Sequence, residues 1–185
     1  MPLDQPANLL GALATAIADR TAAATTAAAG GSDSAAAALS ALLHFLDRPS
    51  VDRLRQVLGL TSSGTVRLVD RLAAAGYVQR GGGTDGRSTT VALTPLGRRV
   101  ARQVAARRAA VLTGALDALT PAERATFADL TGKVLIGLIR EPGATRWTCR
   151  LCDTRACGRH RGQCPVGNAA LARYGPDSGA GDGPR

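Results

Sequence analysis

The sequence has few aromatic residues, 3% of the chain, and of its 23 basic side chains only Lys133 is a lysine. With 45% apolar residues, many of them alanine, the core must come from closely packed helices rather than from large rings. No apolar run approaches the ~18 residues of a membrane span. The first residues, MPLDQPANLL, lack the basic start and apolar stretch of a secretory signal, which leaves a cytoplasmic location as the expectation. Only His44 and His160 supply imidazoles, no Gly-rich phosphate loop is present, and no nucleophile–base pairing stands out. An enzyme, including a metal-dependent redox enzyme on this scaffold, is therefore disfavoured. Cysteine is absent until residue 149, and all four cysteines then fall between Cys149 and Cys164.

What is present is positive charge. The formal net charge is +9 and the pI near 10.8. Between Val51 and Ala110, eleven arginines face only Asp52, Asp70 and Asp85. Such clustering on one segment favours a nucleic-acid partner over an evenly solvated surface.

The order of helix signals is legible. Leu9, Leu10, Leu13 and Ile17 recur at helical spacing in an N-terminal segment. Ser32 or Asp33 can cap a second helix bearing Leu39, Leu42, Leu43 and Leu46. Ser50 caps a short third helix with Val51, Leu54 and Leu58, closed by Gly59. Thr61 and Ser62 then start a fourth, which Gly76 stops. Helix, tight turn and helix make a helix-turn-helix. On the fourth helix Thr65, Leu68, Val69 and Leu72 share a core face, whereas Ser63, Arg67, Asp70, Arg71 and Ala74 share a polar one. Ser62, Ser63, Thr65, Arg67 and Arg71 are the expected contacts to double-stranded DNA in the major groove.

Residues 77–80 and 88–93 read as two strands around a Gly-rich tip ending in Asp85-Gly86-Arg87. Arg80 and Arg87 flank that tip, within reach of phosphates or a minor groove, and Asp85 can hold Arg87. Thr94-Pro95 opens a long helix with a stripe of Leu96, Val100, Val104, Val111, Ala115 and Leu119. Thr120-Pro121-Ala122-Glu123 has the spacing of a capping box, and the helix behind it carries Phe127, Leu130, Val134, Leu135 and Leu138. Two long helices exceed what a small DNA module needs for its own core, so a dimer interface is expected.

In order of parts and in motifs, the chain resembles the MarR family (multiple antibiotic resistance regulators). The matching residues are Leu60-Thr61, Thr65-Val66-Arg67-Leu68-Val69-Asp70-Arg71-Leu72, Gly76-Tyr77-Val78, Asp85-Gly86-Arg87 and Val91-Ala92-Leu93-Thr94-Pro95-Leu96-Gly97. The resemblance covers about 8–140 in element order. It implies a mainly α fold with a small β-hairpin wing, a winged helix-turn-helix with N- and C-terminal dimerisation helices. It further implies a homodimeric transcription regulator, a repressor on a pseudo-palindromic operator. In such proteins the helix starting at Thr61 reads the major groove, and the wing arginine, here Arg87, reaches the minor groove or backbone. A small-molecule effector is a further implied partner. The expected divisions are an N-terminal dimerisation helix (1–31), the DNA-binding domain (32–98), C-terminal dimerisation helices (99–143), a Cys-rich tail (144–171) and a disordered end (172–185).

That tail, with Cys149-x2-Cys152-x4-Cys157-x6-Cys164, is more than the family requires. A Cys-x2-Cys knuckle directs two thiolates at one ion, and two further thiolates complete a tetrahedron. Zinc is the expected metal, with His160 a possible replacement ligand. An iron–sulfur cluster is the alternative, suggested by Cys164-Pro165, and a thiol–disulfide switch is the third. Either alternative would make the cluster a redox sensor within a regulator. Arg146, Arg150, Arg155, Arg159 and Arg161 surround the site, and Trp147 is expected to pack the tail on the body.

Overall fold

The computed structural model describes residues 2–82 and 89–175. Four helices come first: α1 (Gln5–Thr26), α2 (Asp33–His44), α3 (Val51–Leu58) and α4 (Ser62–Ala74). A two-stranded hairpin follows, β1 (Val78–Gly82) and β2 (Thr89–Leu93), then α5 (Pro95–Ala115) and α6 (Pro121–Leu138). The tail holds α7 (Ala144–Thr148), a 3₁₀ turn (Arg159–Arg161) and α8 (Pro165–Tyr174). Mainly helical, with a two-stranded wing flanked by N- and C-terminal helices, this is a winged helix-turn-helix.

Local chemistry sets most boundaries. Ser32, Ser50, Thr61, Thr94 and Thr120 each cap a helix, accepting the backbone N–H three residues on. At Thr120 the capping box is complete, because Glu123 also accepts the Thr120 N–H. Gly59 ends α3 in the left-handed region, at φ 62°, which a side chain would resist.

The core is formed chiefly by α2, α3, α4, the wing and the first half of α5. Leu39, Leu54, Leu68, Val69 and Val91 are fully buried there, and each such side chain contributes about 1.5–3 kcal/mol by leaving water. The wing pairs antiparallel, with Val78 opposite Leu93 and Arg80 opposite Val91. Its root is fastened to the helices. The Thr94 hydroxyl donates to the Gly76 carbonyl, and a Cβ on Gly97 would lie 1.8 Å from the Tyr77 carbonyl oxygen. Only glycine permits that approach of α5 to the wing. The buried part of α5 is Gly97, Val100, Ala101 and Val104, while Leu96 is exposed.

Two elements leave apolar stripes in water. On α1 these are Leu9, Leu10 and Leu13; on α6 they are Phe127, Leu130, Val134 and Leu138, with Leu138 60% exposed. The tail differs from expectation at its end. Ala172, Arg173 and Tyr174 continue α8 instead of lying in a disordered segment. Arg173 and the Tyr174 hydroxyl both donate to the Ile139 carbonyl, tying the helix end to the chain just after α6. The remainder of that segment, 176–185, lies outside the described residues. Among the described residues, no helix is long and apolar enough to cross a membrane.

Candidate nucleic-acid interface and cysteine cluster

Helix α4 separates its faces as its sequence demands. Leu68, Val69 and Leu72 are buried against the core, and Ser62, Ser63, Arg67 and Arg71 are exposed. Thr65 is a correction to the expected contact set. It is fully buried, and its hydroxyl donates to the Thr61 carbonyl at 2.9 Å, so it braces the helix start and cannot touch a base. Val66, one position on, is exposed instead. An apolar side chain between Ser62 and Arg67 can meet a thymine methyl. Its only sequence signal was an apolar residue off the core stripe.

Arg80 is also committed elsewhere. Its guanidinium pairs with Asp70 at 2.7 Å, joining the first wing strand to α4. Arg55, on α3, pairs with Asp52 at 2.7 Å. Arg87 and Asp85 at the wing tip lie outside the described residues, as does any geometry of their pairing.

The tail wraps from α6 back to the base of the head. Helix α7 lies on α3, and α8 lies on α6. A Cβ on Gly59 would come within 2.9 Å of the Trp147 ring, so the glycine that ends α3 also receives the tail's only tryptophan. The Arg150 guanidinium stacks over that ring, 3.4 Å from its centre. Leu151 packs against the core of the head.

Thr154 makes the second joint. Fully buried, it donates its hydroxyl proton to the His44 carbonyl at 2.9 Å, at the end of α2. His160 Nε2 lies 3.0 Å from the Thr154 hydroxyl oxygen. The hydroxyl proton is already used, so Nε2 must be the donor, and it offers no lone pair to a metal. Asp153, 3.6 Å from His44 Nδ1, also accepts the N–H groups of Arg155 and Ala156. Burial is the main influence on the His44 imidazole and lowers its pKa, with Asp153 opposing. His44 carried no sequence signal beyond its presence beside an apolar stripe.

All four cysteines are free thiols gathered at one small cluster with Ile139, Val166 and Ala170. Cys149 and Cys152 stand on a tight turn in which the Cys152 N–H bonds the Cys149 carbonyl at 2.9 Å. The nearness of the two thiols lowers the pKa of Cys152, aided by Arg108 and Arg159 against the opposing effect of burial, and raises that of Cys149, which burial raises further. The Cys157 thiol donates to the Thr154 carbonyl at 3.6 Å, and burial raises its pKa. Cys164 caps α8, its sulfur accepting the Gly167 N–H at 3.3 Å. Among the described residues, no three or more His, Cys, Asp or Glu side chains already stand at metal-ligand spacing.

Buried guanidinium nitrogens border this cluster. Arg159 Nε and Nη2 and Arg108 Nε are sealed from solvent without a hydrogen-bond partner. A Cβ on Gly167 would sit 3.5 Å from Cys164 Sγ and 3.6 Å from Arg159 Nε, which puts that arginine beside the sulfur.

A helix with an exposed basic face, a wing rooted at its end and long flanking helices define a winged helix-turn-helix fold. Residues 30–88 match the model of the MarR family, and the fold is a winged helix-turn-helix. A MarR family protein from Bacillus stearothermophilus is similar in structure, with a TM-score of 0.64 and 22% identity over 72% of this chain and 92% of that one. A MarR family transcriptional regulator from Silicibacter pomeroyi has a TM-score of 0.53 and 27% identity, over 70% and 86%. The PcaV transcriptional regulator from Streptomyces coelicolor, solved in complex with its natural ligand, has a TM-score of 0.54 and 25% identity, over 72% and 96%. These structures are covered almost throughout, yet more than a quarter of this chain has no counterpart in them. No protein of curated function matches the sequence.

Proposed function

We propose that the chain acts as a homodimeric repressor on a pseudo-palindromic operator and that a small organic molecule releases it. The observation that carries this reading is the outer face of α4, where Ser62, Ser63, Val66, Arg67 and Arg71 stand exposed on a helix whose other face is locked in the core. Arg67 and Arg71 supply base-edge or phosphate contacts, and Arg87 supplies the wing contact. The exposed apolar stripes of α1 and α6 support the dimer, since two copies that bury them remove both from water.

A cleft of about 360 Å³ supports an effector site. It lies among α1, α2, α3, α5 and the tail, walled by small side chains such as Thr21 and Ala37, with Arg108 and Arg150 among its lining. A largely apolar wall that carries both signs of charge, Arg108 and Arg150 against Asp33, suits a small amphipathic organic molecule.

Selection of binding sequences from random duplex DNA tests the operator reading. The expected outcome is an enriched inverted repeat bound by a dimer, with affinity falling steeply as salt rises. Arg67→Ala is expected to lose about 1–3 kcal/mol and to relax preference at one base position. Arg87→Ala is expected to weaken binding with little change in thermal stability. Failure to enrich any inverted repeat removes the proposal, and unchanged affinity in Arg87→Ala removes the wing contact.

A further inference from the structure

Between Pro142 and Gly175 the chain holds six arginines and a single acidic residue, Asp153. That carboxylate is occupied at the His44 joint and by two backbone N–H groups. Yet Arg159 and Arg108 bring buried, unpartnered nitrogens to the thiol cluster. A guanidinium nitrogen taken out of water calls for an acceptor or a negative charge beside it. Four neutral thiols do not supply one. Four thiolates around a divalent ion carry a net charge of 2−, and thiolate sulfurs accept N–H bonds.

We propose that Cys149, Cys152, Cys157 and Cys164 bind one zinc ion as four thiolates, with Arg159 and Arg108 as its counter-charges. Binding releases the four thiol protons as the sulfurs close on the ion. All four cysteines already share one small cluster, on turns set by Gly158, Gly162 and the Asp153 loop, so a single ion would draw them together. The Cys164-Pro165 sequence that suggested an iron–sulfur cluster has a local cause. Pro165 occupies the first turn of α8, where a missing N–H costs nothing.

The ion's place in the chain gives it a role. Its ligands connect α8, packed on α6, to the turn that carries Trp147 onto Gly59 and Thr154 onto the His44 carbonyl. Zinc thereby fixes the tail as a strut between a helix with an exposed apolar stripe and the base of the reading head. This role rests on the regulator reading, but the metal site does not.

Elemental analysis of the native full-length chain, purified without added metal or chelator, tests the site with no DNA present. About one zinc per chain is expected, with thiols that react slowly until a chelator is added and then all react. Chelation should also shift the emission of Trp147, the only tryptophan. Arg159→Gln keeps every ligand and is expected to weaken zinc about 10–100-fold in competition with a chelating dye, the usual cost of losing a partner to the ligands. Cys157→Ser should abolish stoichiometric zinc. Four freely reactive thiols without zinc, two disulfides, or iron with acid-labile sulfide would each overturn the proposal. Zinc retained with unchanged affinity in Arg159→Gln would remove the counter-charge argument.

Discussion

The reading head and the cysteine tail reach order by opposite routes. From α2 to β2 the head buries large aliphatic side chains, and its helices begin on hydroxyl caps. The cluster in the tail buries only Val166, Ala170 and two thiols, with Ile139 from the end of α6. Backbone turns, two left-handed glycines, a carboxylate loop and docking on its neighbours do the rest. The head is thus stabilised by apolar burial, which is indifferent to solution chemistry. The tail is held by a few directional bonds around a small thiol cluster, and with the proposed zinc its order would answer to metal.

Three substitutions sharpen the contrast. The largest effect is expected from Leu54→Ala, which leaves a cavity in the fully buried centre of the head. A loss of about 2–5 kcal/mol should appear as a lowered midpoint in chemical denaturation. A loss below ~1 kcal/mol would mean that the head does not depend on this core. Next comes Thr154→Val, which strips the donor from the His44 carbonyl. A cost of about 1–3 kcal/mol is expected in the docking of the tail. Faster hydrogen exchange from residue 143 onward, with the main melting transition in place, is the signature. If exchange in α3 and α4 rises equally, the two regions form one cooperative unit and the contrast fails. The smallest effect belongs to Arg80→Ala. The Arg80–Asp70 pair is largely exposed, so less than about 1 kcal/mol is expected, visible only as a small shift in the thermal midpoint.

The sequence showed the head far better than the tail. Caps at Ser50, Thr61 and Thr94, glycines at 59 and 76, and helical spacing of Leu54, Leu68 and Leu72 are local signals, and the helices obey them. Thr65 was misjudged as a contact because a hydroxyl at a helix start suits both a base edge and a brace to the preceding turn. Only packing decides between them, and its spacing with Leu68 and Leu72 pointed to the core. Arg80 looked free because its partner, Asp70, lies on a different element. Four closely spaced cysteines announced a cluster, but not its surroundings. The bond from Thr154 to His44 spans 110 positions in the chain, and the buried guanidinium of Arg108 arrives from α5. Such pairings carry no periodicity and leave no trace in a single sequence.

The close approach at Gly97 has a mechanical consequence. With the wing's backbone pressed against the first turn of α5, neither can slide past the other, and the two form a single crank. Helix α5 has 21 residues and is therefore about 30 Å long, so a tilt of about 5° pivoting at its far end moves the wing by roughly 2–3 Å. In the proposed dimer, the distance between the two half-sites would be gauged by this helix, though the helix itself need not touch DNA.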